Sequence, residues 1–105
     1  MAQFDVYKNP SRHSCNAYPY LLNIQHDFLT DLTTRIIIPL GRLSHFQSEK
    51  LRGLTPEVEY EGESLLLLTP QIASMPAKQL KDPIGSLSHL REEIIASLDF
   101  AVTGF

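Results

Sequence analysis

The 105 residues carry 43% hydrophobic and 20% charged side chains and a net charge of −3, a composition expected of one globular domain spanning residues 1–105. That acidic balance argues against unaided nucleic-acid binding, which normally shows a basic footprint, and the lone Cys15 argues against a disulfide framework. The start has no basic segment followed by an apolar run, and the longest aliphatic run, residues 65–68, is far too short to span a bilayer, so a cytoplasmic protein is expected.

In chain order, the alternation in residues 4–7 predicts a first strand, and the turn-rich residues 9–16 a loop. Residues 18–25 predict a second strand that Pro19 restricts to an edge or a bulge. The β-branched residues 35–40 predict a third strand buried on both faces. Residues 41–56 read as a long polar excursion with a short helical turn. Glu61-Gly62 divides residues 57–60 from 63–69 as a hairpin, with a two-residue turn and a glycine bulge equally compatible with the glutamate. Residues 71–77 predict another strand ending near Pro76.

From Ser88 the chain reads as one amphipathic helix. Leu90, Ile94, Leu98 and Val102 recur every four residues, and Leu87, Ile95 and Ala101 broaden the stripe. Ser86 or Ser88 is the candidate cap, and Glu92 and Glu93 favour the helix dipole. The expected fold is mainly β (α+β): a small antiparallel sheet or SH3-like, partly closed barrel with one C-terminal helix.

Chemistry-bearing patterns are sparse. His13, His26, His45 and His89 lack zinc-site spacing, and no phosphate loop or nucleophile elbow occurs. Glu57, Glu59, Glu61 and Glu63 fall at period two, as the wet face of a hairpin does. One trio fits RNA cleavage, with His26 as acid or base, Asp27 beside it and Arg35 on the phosphate; a solvated Asp–Arg corner is the plainer reading. Two basic segments, Lys8–Arg12–His13 and Arg42–His45–Lys50–Arg52, stand out from the acidic remainder as either solubilising residues or a docking site for an acidic or disordered partner.

Taken together, Gln3-Phe4-x-Val6-Tyr7, Ile24-Gln25-x-Asp27, residues 35–40, Ala73-Ser74-Met75-Pro76, Leu87-Ser88-His89 and Gly104-Phe105 give the chain a resemblance to the CcdB toxins. The likeness runs through essentially the whole chain in the same order. It implies a homodimer with no enzymatic activity; no cofactor is expected, and the histidine spacing and single cysteine argue against a metal site. The family's toxins bind the A subunit of DNA gyrase and trap it on cleaved DNA. The gyrase contact implied is the C-terminal tripeptide, here Thr103, Gly104 and Phe105, supported by Asp99 and by Phe28 and Leu29. A CcdA-like antitoxin, whose C-terminal part is disordered when free, is expected to wrap residues 8–16 and 41–52, bringing in Lys8, Arg12, His13, Arg42, His45 and Lys50. Operator DNA would be met only through the antitoxin complex, in plasmid maintenance and transcription regulation.

The best-known members end in Trp-Gly and an aliphatic residue, whereas this chain has no tryptophan and places Thr103 there. An aromatic anchor lost from an interface can cost about 2 kcal/mol, with Phe105 as the nearby substitute. The alternatives to a gyrase poison are an endoribonuclease toxin on the same fold and a non-poisoning remnant that acts with the antitoxin in transcriptional repression.

Overall fold

Three consecutive isoleucines favour extended backbone, and they form the trunk of the sheet. The computed structural model describes residues 2–29, 31–51 and 53–104. In it the trunk is β3, Thr34–Arg42, following β1, Asp5–Lys8, and β2, Tyr20–Asn23. One edge of β3 pairs with β2, which pairs with β1. The other edge is divided. Thr34–Ile37 meet β6, Ala73–Pro76, whereas Leu40–Arg42 meet β5, Glu63–Leu67, which carries β4, Glu57–Tyr60. A two-residue β7, Gly85–Ser86, lies against β1. All pairings are antiparallel, in the order β4-β5-β3-β2-β1-β7 with β6 beside β3.

Proline inside a trunk strand needs a reason, because it removes a ladder donor. Pro39 sits where the neighbour of β3 changes from β6 to β5, and its carbonyl accepts the Leu68 N–H at 3.0 Å. Burial on both faces holds for residues 37–41, while Ile36 is partly exposed.

Several bounds differ from the sequence expectation. The first strand starts at Asp5 because Phe4 turns to φ 71, its N–H donating to the Asn23 carbonyl at 2.6 Å. The second keeps only residues 20–23, leaving Pro19 outside the ladder. The excursion holds α1, Leu43–Phe46, and a 3₁₀ turn, Gln47–Glu49. Between Tyr60 and Glu63 both turn residues have positive φ, 53° at Glu61 and 74° at Gly62. That is the two-residue type I′ hairpin, whose twist matches the strands, and not the glycine bulge.

Helix α2, Arg91–Thr103, begins three residues later than expected, after a 3₁₀ turn at Ser88–Leu90. Ser86, not Ser88, supports this entry, its hydroxyl accepting the Ser88 N–H at 3.1 Å. Ile94, with Ile95 and Leu98 beside it, closes the inner face of the sheet over Val6, Leu22, Ile38, Leu40, Val58, Leu65 and Leu67. The buried Ser97 hydroxyl lies 3.0 Å from that of Thr69 and donates to the Ile94 carbonyl at 2.8 Å, fixing α2 to the turn after β5. The stripe does not stay buried to its end: Ala101 and Val102 are exposed.

The half-barrel's open side is spanned by a side chain. The Tyr60 hydroxyl donates to the Ile84 carbonyl at 3.0 Å, and its ring meets Tyr20 edge-on at 5.0 Å. A Cβ on Gly85 would stand 2.2 Å from the Tyr60 hydroxyl, so this approach requires glycine. On the outer face, Tyr7, Leu21, Ile37 and Leu80 form a second cluster with Met75.

Candidate protein-interaction site

Two exposed apolar places stand out. The first is the last turn of α2. Gly104 takes φ 80 and its N–H donates to the Phe100 carbonyl at 2.9 Å, which ends the helix. The Thr103 hydroxyl folds back to the Asp99 carbonyl at 2.6 Å, so the hydroxyl is committed to the helix itself. Asp99 is exposed. Val102 is 83% exposed and, with Phe100 and Ala101, lines a cleft of about 350 Å³ with Leu54, Thr69, Pro70 and Ile72. Phe105 lies outside the described residues.

The second is the 3₁₀ turn Asp27–Leu29, which presents Phe28 at 89% exposure with Leu29 and Leu32 partly exposed beside it. Its scaffold is fully engaged. The Asp27 carboxylate accepts the Gln3 N–H at 2.7 Å, and the Gln25 side-chain amide donates to the Leu29 carbonyl at 2.7 Å. The Gln25 amide oxygen accepts the Ile36 N–H at 3.1 Å, which accounts for a glutamine buried at that position. Gln3 in turn accepts from Arg91 at 3.2 Å, and the Arg91 guanidinium sits 5.6 Å above the Phe4 ring. The Phe28 turn is therefore tied to the start of α2, whereas Thr103 and Gly104 stand at its other end, about 18 Å along the axis at the helical rise.

His26, Asp27 and Arg35 do not assemble as an RNA-cleaving trio. The His26 Nδ1 accepts the Phe28 N–H at 3.1 Å and its ring packs on Phe28 at 4.7 Å. Asp27 holds Gln3. Arg35 is only 7% exposed, and its guanidinium donates to the Leu32 and Thr34 carbonyls. A phosphate would have to draw that guanidinium out of the protein. Among the described residues no group of three His, Cys, Asp or Glu side chains converges to hold a metal ion.

The two basic segments differ in availability. Arg42 is paired with Glu63 and donates from Nε to the Asn16 carbonyl at 2.7 Å; Lys50 is paired with Glu57 at 2.7 Å. His45 lies against Ser44 and the Phe46 ring. Lys8, Arg12 and His13 are exposed. Their loop is held from within, for the Asn9 amide donates to the Ser14 hydroxyl at 3.0 Å and to the Tyr18 carbonyl at 2.8 Å. Arg52 lies outside the described residues.

The described residues form an antiparallel half-barrel with a C-terminal helix that ends in exposed apolar residues. The family model of the CcdB protein matches residues 3–104. The chain belongs to the CcdB family. As a CcdB-family protein it is the toxin of a toxin–antitoxin system, and its mixed α+β half-barrel is consistent with the CcdB fold. Among its described residues no helix is long and apolar enough to cross a membrane.

Within this CcdB-family fold, sequence reasoning missed Val102 and Ile72 as surface residues. Val102 continued a core stripe at perfect spacing, and only the reach of the sheet beneath the helix decides where that stripe runs out. The signal that was readable is the hydroxyl at 103, a residue type that caps its own helix turn in this setting.

Proposed function

We propose that this CcdB-family toxin acts as a homodimer that binds the A subunit of DNA gyrase and traps the enzyme on cleaved DNA, with a CcdA-like antitoxin to neutralise it. Family membership along nearly the whole chain supports the target. The observation that carries the contact is the exposed apolar end of α2: Phe100, Ala101 and Val102 lie uncovered next to Thr103 and Gly104. Contiguous apolar surface left exposed marks interaction sites. In this reading Val102, Thr103, Gly104 and Phe105 meet gyrase directly, Asp99 flanks them, and Phe28 with Leu29 forms a second contact. Ile36 and Ile72 supply apolar surface for the dimer. Lys8, Arg12 and His13 are the antitoxin residues most open to a partner; Arg42, His45 and Lys50 would join after exchanging their present neighbours.

The mechanism is a population shift. Such a poison must bind opened, DNA-cleaved gyrase better than the closed form, or it moves nothing. Two helix ends on a dimer offer a symmetric wedge for a symmetric target. No chemical step by the toxin is needed, and the burial of Arg35 disfavours the ribonuclease alternative.

The test is a cleavage assay with supercoiled plasmid, gyrase and ATP, scored for linear DNA after protein removal. The full chain is expected to yield linear DNA, and a chain lacking Gly104 and Phe105 to yield none while remaining folded. A folded full-length protein that binds the antitoxin and leaves gyrase unaffected would overturn the target and bring the repressor remnant forward.

A further inference from the structure

Three hydrogen bonds fix the frame of the turn Asp27–Leu29, and a fourth reaches the residue at its tip. The Asp27 carboxylate accepts the Gln3 N–H at 2.7 Å, the Leu29 carbonyl accepts from the Gln25 amide at 2.7 Å, and the His26 carbonyl accepts the Leu29 N–H at 2.9 Å. The fourth ends on a ring: His26 Nδ1 accepts the Phe28 N–H at 3.1 Å. His26 therefore acts as a cap residue does, its carbonyl taking one N–H and its side chain another. The direction of that bond assigns the ring. Nδ1 accepts only without a proton, so the imidazole is neutral here and carries its hydrogen on Nε2.

The same imidazole lies against the Phe28 ring, with centroids 4.7 Å apart and planes inclined at 46°. One side chain thus holds both the backbone and the ring of a residue that is 89% exposed.

In the free protein the bond to Nδ1 contributes little, because His26 and Phe28 are both exposed and water satisfies the N–H in its place. Against a partner the balance changes. Docking the Phe28 ring strips water from its backbone, and a buried N–H without an acceptor carries the full desolvation penalty. An acceptor built into the turn removes that penalty, and a ring held in advance lowers the ordering cost of binding. We infer that His26 is a positioning residue for the Phe28 contact, presenting the phenylalanine in one orientation and keeping its N–H satisfied once water is excluded. The identity of the partner rests on the gyrase reading; the positioning rests on the geometry of the turn.

Three variants separate the parts. His26→Ala removes acceptor and ring, and His26→Phe keeps a ring without the acceptor. His26→Asn keeps an acceptor without the ring, since an asparagine oxygen reaches the N–H two residues on. All three change an exposed position, and their urea midpoints are expected to match that of the wild type. In the plasmid cleavage assay, the toxin concentration giving half-maximal linear DNA is expected to rise about tenfold or more for His26→Ala and His26→Phe. For His26→Asn it is expected to return to within about threefold of the wild type.

Amide exchange and nitrogen NMR of the free protein read the positioning without gyrase. Exchange at Phe28 is expected to be slow in the wild type and His26→Asn and faster in the other two, with His26 as the Nε2–H tautomer. Trapping by His26→Phe equal to the wild type, or His26→Asn as weak as His26→Ala, would overturn the role. So would a Phe28 amide that exchanges equally fast in all four proteins, or an Nδ1–H tautomer. A wild-type protein that leaves gyrase unaffected removes the partner alone, and the exchange and tautomer results then decide the positioning by themselves.

Discussion

The Tyr60 hydroxyl donates a hydrogen bond to the Ile84 carbonyl across the open side of the half-barrel, 3.0 Å away, in a space that exists only because residue 85 has no side chain. One end of the sheet is thereby joined to the other without a backbone ladder between β4 and β7. Gly85→Ala is expected to destabilise the fold by about 2 kcal/mol through forced overpacking, and Tyr60→Phe by about 1 kcal/mol through loss of the hydrogen bond. Urea unfolding of both single variants and the double variant checks this. The double is expected to lose less than the sum, because loss of the hydroxyl removes the nearest contact of an alanine Cβ, at 2.2 Å.

Tyr7 is fully buried and, among the described residues, its hydroxyl has no hydrogen-bond partner. Burial pushes its pKa up, with the charge of Asp5 adding to the effect; Tyr60 is raised by burial and by Glu61. A phenol whose folded pKa lies above the unfolded value keeps its full contribution below pH 10 and loses it as pH climbs toward the folded pKa. Thermal stability is therefore expected to fall above pH 10, and to fall less steeply in Tyr7→Phe. At neutral pH that variant is expected to be as stable as the wild type or slightly more so, since it removes a buried unsatisfied group. Melting scans from pH 7 to about pH 11 distinguish these outcomes.

Ser97→Ala leaves the buried Thr69 hydroxyl without its partner in α2. The expected cost is about 1–3 kcal/mol. Hydrogen exchange of the α2 amides should accelerate relative to those of β2 and β3, because the pair fastens the helix and not the sheet.

Glu61 holds a left-handed backbone conformation at the hairpin. Glu61→Asn, better suited to the first position of a type I′ turn, is expected to stabilise by about 0.5–1 kcal/mol, or about 4 °C in a domain of this size. Calorimetry checks it, and an unchanged melting temperature would show that the turn relaxes freely.

Val102→Asp and Phe28→Asp alter side chains that are 83% and 89% exposed. Phe28→Asp is expected to leave the unfolding midpoint unchanged, whereas both variants should reduce gyrase trapping at least tenfold. Val102→Asp places a carboxylate near the helix C-terminus, where the dipole disfavours it by about 0.5 kcal/mol, so its stability is to be measured alongside.

The strands rich in β-branched and alternating residues were legible in the sequence, as was the terminal helix. Their ends were not. Phe4 leaves the strand pattern through a positive φ that no local residue type announces, and β7 exists only because β1 offers two residues of free edge. The turn at Glu61-Gly62 was undecided because glutamate is a poor fit to the geometry it adopts. At the site, the helix end was readable, but the fate of each residue was not: Val102 sits outside the core and Arg35 inside it, outcomes set by how far neighbouring elements extend. Arg42 and Lys50 read as open cations, and their partners, Glu63 and Glu57, lie in the hairpin that the sequence marked only as a wet face.

Pro39 turns the trunk strand into a fork. Because it has no N–H to offer at the junction, neither β5 nor β6 can grow past it into the other's territory, and the two branches are held to their own stretches of β3. Each branch can then fray, shift or accumulate substitutions without transmitting a register error to the other. β6 borders an outer-face cleft through Ala73, Ser74 and Met75, while β5 carries the hairpin. One imino acid in the middle of the sheet thus separates the branch that carries the hairpin from the branch that runs on toward α2.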